Sequence, residues 1–159
     1  MILVDSREKQ FQKETTKTVK LNRNIKNYFD TNKIDYKIQK LQVGDYMSDL
    51  NPFLSIDHKL EFDELAMNIL TNDSKRFKRE LRLAKSLGIQ LIFICENSQG
   101  MGRIRDVVAW KSSYCNTDGN KLLKNMLSLQ RMYGCRFEFC KIDDTGRVIL
   151  DLLERNKDT

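Results

Sequence analysis

Residues 55–65 read SIDHKLEFDEL. In an extended chain alternate side chains share a face, so Asp57 and Lys59 project together while Ile56 and His58 point the other way. The apolar period then changes: Phe62, Leu65, Ala66, Ile69 and Leu70 recur at helical spacing, so the stretch is the end of a strand running into a helix. A carboxylate and an ammonium on one strand face arise often by chance in a charged sequence. Their meaning depends on what the neighbouring segments bring to them.

Immediately upstream, IDYKIQKL (34–41) alternates apolar and polar residues, and QVGDYMS (42–48) continues as strand after a bend at Gly44. SDLNP supplies a turn, so the strand FLSIDHK lies antiparallel to its predecessor and brings Asp45 towards Asp57. The opening ILV is a short buried strand that stops at Asp5, and Val19, Leu21, Ile25, Tyr28 and Phe29 predict an amphipathic helix over about 19–30. After the helix at Phe62, a second one carries Phe77, Leu81, Ala84 and Leu87 and ends at Gly88. IQLIFICE is a nearly continuous apolar strand, as expected when both faces of a sheet are covered. The glycine-containing loop NSQGMGR, a helix over about 103–111, a helix through Leu122 and Met132, the strand CRFEFC and a last helix in GRVILDLLER complete the chain. A hairpin-like first half followed by strands alternating with helices predicts an α/β domain with a central mixed β-sheet flanked by helices on both faces.

At 159 residues, with 40% hydrophobic and 31% charged, the chain suits one domain, residues 1–159. It contains no apolar run of the about 20 residues that cross a bilayer, so no membrane association and an intracellular, cytoplasmic location are expected. Cys95, Cys115, Cys135 and Cys140 form no C-x-x-C pair and are read as free thiols, and with only His58 to join them a zinc site is not expected. The net charge of +6 favours polyanionic partners. NDSKRFKRELRLAK concentrates that charge: Lys75, Arg76, Lys78, Arg79, Arg82 and Lys85 face only Asp73 and Glu80. A solvated helix face explains such a run equally well, but its place directly after the acid–lysine pair makes Lys75, Arg76, Lys78, Arg79 and Arg82 candidates for DNA phosphates. NSQGMGR lacks the lysine of a phosphate-binding loop, so no nucleotide cofactor is expected.

Two carboxylates, Asp45 and Asp57, beside Lys59 can hold a hard divalent cation, Mg²⁺ or Mn²⁺, next to an ammonium able to orient water. Phosphodiester hydrolysis requires those parts, because positive charge must meet the anionic phosphate as it becomes pentacovalent. His58, on the opposite face, is expected to be packed or hydrogen-bonded away from that chemistry.

The ordered set VDSRE, VGDY and IDHKLEFD, each at the end or edge of a predicted strand, resembles the nuclease domain of the XPF-type structure-specific endonucleases. That family's signature is Gly-Asp, a spacer, then Glu-Arg-Lys-x-x-x-Asp. Here Gly44-Asp45 is followed by Asp57-His58-Lys59, LEF and Asp63, and DSRE resembles the family's first-strand motif. The resemblance implies a restriction-endonuclease-like fold and a metal-dependent DNA endonuclease acting on branched or junction DNA such as flaps and forks. It implies a catalytic set of Asp5, Asp45, Asp57 and Lys59, with Asp45 and Asp57 on the metal and Arg7, Glu8 and Asp63 in support. It also implies a homodimer, and the apolar residues of the Leu122–Met132 helix and of VILDLL exceed one narrow stripe. Asp57 stands where the family has glutamate and His58 where it has arginine. A Holliday-junction resolvase, a catalytically silent DNA-binding subunit and a protein-interaction module on the same fold are the alternatives.

Overall fold

The computed structural model describes residues 1–13, 24–59, 61–71, 75–112 and 118–155. Six strands form one sheet in the order β2-β1-β3-β4-β5-β6, with β1 Ile2–Asp5, β2 Tyr36–Gln39, β3 Tyr46–Ser48, β4 Asn51–Lys59, β5 Gln90–Glu96 and β6 Arg136–Cys140. Short β3 runs against its neighbours β1 and β4, while β1 and β2 are parallel to each other, as are β4, β5 and β6.

The helices divide between the two faces as the parallel connections require. On one side lie α1 (Asn24–Thr31) and α5 (Thr145–Arg155), where Ile25, Phe29, Ile149 and Leu153 pack on Val4, Ile56, Ile92 and Ile94. On the other lie α2 (Phe62–Leu70), α3 (Lys75–Ser86) and α4 (Gly119–Tyr133), whose Leu65, Leu81, Leu122 and Met126 pack on Leu91, Phe93 and Phe137. β5 is buried on both faces, which accounts for its unbroken apolar run.

Several expected boundaries differ. The predicted 34–41 strand shortens to Tyr36–Gln39, which forms the sheet edge beside β1 and leaves Ile38 exposed. It is not the neighbour of β3, since β1 lies between them. The expected 103–111 helix is a 3-10 turn over Ile104–Ala109: Asp106 Oδ2 accepts the N–H groups of Gly102 and Arg103, and the turn ends where Trp110 enters the core. Val19 and Leu21 of the first predicted helix lie outside the described residues, as does Cys115. Cys95, Cys135 and Cys140 are free thiols. Among the described residues no helix is long and apolar enough to cross a membrane.

Candidate active site

The Gly44–Asp45 bend and the end of β4 form the centre of the site. Gly44 adopts φ +70°, and a Cβ there would lie 2.2 Å from Ser55 Oγ and 2.9 Å from the Ile56 carbonyl, so both conformation and close approach require glycine. The bend is then fixed by main-chain bonds: Asp45 N–H donates to Ile56 O at 2.7 Å, and Asp5 N–H donates to Asp45 O at 2.8 Å. In the β3–β4 ladder Tyr46 faces Ile56, so continuing the register by one residue sets Asp45 across from Asp57. Asp45 Oδ2 also accepts the backbone N–H of His58 at 2.8 Å.

Asp57 is 3% exposed and faces the α2–α3 layer. Lys59, two residues on and on the same face, places Nζ 3.1 Å from Asp57 Oδ1 and donates to Oδ2 at 3.3 Å. Oδ1 itself has no hydrogen-bond partner among the described residues. Burial pushes the Asp57 carboxyl up to about 6, with the Lys59 charge opposing it and nearby Glu80 adding to it. Burial, then the charges of Asp57 and Glu8, push Asp45 well above its ordinary value. Burial alone would lower Lys59, yet Asp57, Glu80 and Asp45 outweigh it and raise its pKa, so the ammonium is retained. Two neighbouring carboxylates, Asp45 and the buried Asp57, whose charges raise each other's cost, fit a hard cation that would relieve their repulsion. Among the described residues no group of three or more His, Cys, Asp or Glu side chains forms a complete metal cage, so this pair would leave most cation positions to water and substrate.

His58 faces the opposite layer, as strand alternation requires. Its Nε2 lies 2.7 Å from Glu96 Oε1, and Nδ1 lies 3.9 Å from Glu8 Oε2, an ion-pair distance. Burial opposes the imidazolium, but Glu8 and Glu96 outweigh it and raise the His58 pKa to about 9. His58 is therefore a buried cation linking the segment after β1 to the end of β5. Thr145, at the start of α5, donates to the same Glu96 oxygen at 2.5 Å.

The remaining expected residues separate into two groups. Glu8 Oε1 accepts Gln10 N–H at the head of the 3-10 turn Lys9–Phe11, and Glu8 and Arg7 line a cleft of about 510 Å³ together with Asp45, Asp57 and Lys59. Asp5 and Asp63 are not brought there. Asp5 is buried and satisfied by Arg7 N–H and Nε at 2.8 and 2.7 Å, Arg7 Nη2 at 3.2 Å and Leu41 N–H at 2.7 Å. Burial would raise its pKa, but those hydrogen bonds dominate and lower it. Asp5 thus orients Arg7 and the non-strand segment from Leu41 that leads to Gly44, where the sequence predicts continued strand. Asp63 accepts the Trp110 indole N–H at 2.8 Å and lines a second cleft of about 880 Å³ beyond the ends of β5 and β6.

The basic α3 forms one wall of the first cleft. Phe77, Leu81 and Ala84 bury against the sheet, while Lys75, Arg76, Arg79 and Arg82 are exposed and Lys78 is half-buried. Arg76 reaches the cleft. Lys85, the sixth cation, donates to Met132 O at 2.7 Å and so joins α3 to α4.

Sequence reading missed Glu80 and Glu96. Glu80 enters the cleft from α3, with Oε1 accepting Gly44 N–H at 3.2 Å. Its signal was its place beside the apolar stripe, three residues after Phe77 and next to Leu81. Glu96 ends the apolar run of β5, where a buried acid calls for a buried partner.

The mixed six-stranded sheet between two helical layers is a restriction-endonuclease-like α/β fold. Among solved structures, XPF from Aeropyrum pernix shares this fold, with a TM-score of 0.67 and 17% identity over 97% of this chain and 63% of that one. The same protein in complex with DNA matches with a TM-score of 0.64 and 17% identity over 99% of this chain and 64% of that one. The chain thus spans less than two thirds of the protein it resembles, and at this identity the likeness is one of fold. No family model and no curated protein matches the sequence.

Proposed function

We propose that the chain is a Mg²⁺- or Mn²⁺-dependent DNA endonuclease that hydrolyses phosphodiester bonds in branched or junction DNA. The observation that carries this reading is the buried Asp57 carboxylate, across from Asp45 and ion-paired at 3.1 Å with Lys59, in a cleft walled by a basic helix. A cation held by Asp45 and Asp57 would supply Lewis-acid charge to the phosphate and lower the pKa of water. Lys59 carries its ammonium where charge accumulates on the phosphoryl oxygens, in a setting that keeps it protonated. Arg76, with Lys75, Lys78, Arg79 and Arg82 along α3, holds flanking phosphates, and Arg7, fixed by Asp5, adds a cation on the facing wall. His58 also borders the cleft, but its imidazole is engaged by Glu96 and Glu8 rather than by Asp45, Asp57 or Lys59, so it takes no direct part in the chemistry.

DNA as substrate draws support from α3 and from the likeness to a protein solved with DNA. The preference for branches rests on the resemblance alone. Pairing of two copies draws support from Leu127 and Met132, exposed on α4 by 39% and 53%. The apolar residues Ile149, Leu152 and Leu153 of α5 are instead consumed by the core. Light scattering at tens of micromolar should give a dimer mass, and a monomer mass would refute pairing.

The experiment for the function is cleavage of a panel of flap, fork, four-way and linear DNAs with and without Mg²⁺ or Mn²⁺. Cation-dependent cutting of branched over linear DNA is expected. Symmetric cutting confined to mobile four-way junctions would make the protein a resolvase, and tight binding without cutting would make it a silent subunit.

A further inference from the structure

Glu80 sits half-buried on the inner edge of α3, between Phe77 and Ala84, which anchor the helix to the sheet. Those apolar contacts do not depend on it. Its Oε1 accepts the backbone N–H of Gly44 at 3.2 Å, across 36 residues of sequence. Gly44 is the residue whose left-handed conformation turns Asp45 towards β4. The Glu80 carboxyl also lies beside that of Asp57, in the same cleft. An acid set among acids is locally unfavourable, and a position that breaks a local rule in this way is where function is expected. One side chain therefore bonds the backbone that aims the first carboxylate and shares a cleft with the second.

We propose that Glu80 is a positioning residue for the cation pair: by accepting the Gly44 N–H it holds the bend that sets Asp45 across from Asp57. The assignment rests on the reading of Asp45 and Asp57 as the pair that holds the cation. It makes Glu80 a hydrogen-bond acceptor first and a charge second. Glu80→Gln keeps an oxygen for Gly44 and adds an amide donor for Asp57, whereas Glu80→Ala removes both. Neither change disturbs the apolar anchors of α3.

Two measurements test it: amide hydrogen exchange at Gly44 in cation-free protein, and calorimetric titration with Mn²⁺. Glu80→Ala should speed Gly44 exchange and weaken Mn²⁺ binding by about tenfold or more, while Glu80→Gln stays within about threefold of wild type in both, as for other residues that orient metal ligands. Unchanged Gly44 exchange or unchanged Mn²⁺ affinity in Glu80→Ala overturns the assignment. Equal losses of affinity in the two variants overturn it as well, because Glu80 would then act through its charge. Wild-type protein that binds no Mn²⁺ refutes the cation pair itself and the Glu80 assignment with it, so the wild-type titration tells the two failures apart.

Discussion

The Asp45 carboxylate is held by the main chain of the residue next to Asp57: its Oδ2 accepts the backbone N–H of His58 at 2.8 Å. The strand that carries the second acid of the site therefore also orients the first, and the geometry depends on how closely the Gly44 bend approaches β4.

That dependence makes Gly44→Ala a severe change. The added methyl would sit 2.2 Å from Ser55 Oγ, which is itself bonded to Val43 O at 2.8 Å, and the backbone would keep an unfavourable positive φ. Destabilisation of about 2 kcal/mol or more is expected in urea unfolding, with loss of Mn²⁺ binding in the folded fraction. A variant as stable as wild type would contradict the close approach.

His58 should leave a signature in the pH dependence of stability. Its folded pKa of about 9 lies above the ordinary 6.5, so the folded state binds the proton more tightly. The stabilisation is complete below pH 6.5 and is lost as pH rises through about 9, with a magnitude on the order of 3 kcal/mol. Urea unfolding across that window should show the decline in wild type and a flatter profile in His58→Gln. Parallel profiles for the two proteins would mean that the imidazole is neutral.

Along α3, cations that meet phosphate and cations that serve the fold can be separated by salt. Replacing Arg76 and Arg79 together by alanine should lower the slope of log affinity against log salt by about 0.9 for each phosphate no longer neutralised. Lys85→Ala should leave the slope unchanged, because its ammonium is engaged with Met132 O. Fluorescence anisotropy on labelled DNA measures both. An unaltered slope in the double variant would make α3 a solvated face.

Asp63 differs from the other acids because its partner is an indole. Asp63→Ala leaves the buried Trp110 N–H without this acceptor and should cost about 1–3 kcal/mol of stability. Turnover per folded molecule should remain near wild type. A loss of turnover at full folding would return Asp63 to the site.

The parts of the site legible in the sequence are those set by short-range geometry. Strand alternation dictates that Asp57 and Lys59 share a face and His58 does not, and one tight turn suffices to bring Asp45 alongside. Glu80 and Glu96 were not legible because their partners lie 36 and 38 residues away and meet them only through the packing of α3 and β5. For the fold, the period of each apolar pattern identified the strands and most helices. It could not show that β1 separates β2 from β3, since neighbour order depends on pairing across the whole sheet. Asp5 illustrates the same division: its place at a strand end was readable, but its saturation by Arg7 and Leu41 was not.

The most direct test compares Mn²⁺- or Mg²⁺-dependent cleavage of a branched DNA by wild type, Asp57→Ala, Lys59→Ala and His58→Ala, with Mn²⁺ binding measured in parallel. Asp57→Ala should lose the cation and turnover together. Lys59→Ala should keep cation and DNA binding while turnover falls by on the order of a hundredfold or more, as when a preorganised charge is removed from a transition state. His58→Ala, once corrected for its lower stability, should cut at a rate far closer to wild type. Equal cleavage by the Asp57 and Lys59 variants and wild type would contradict the account.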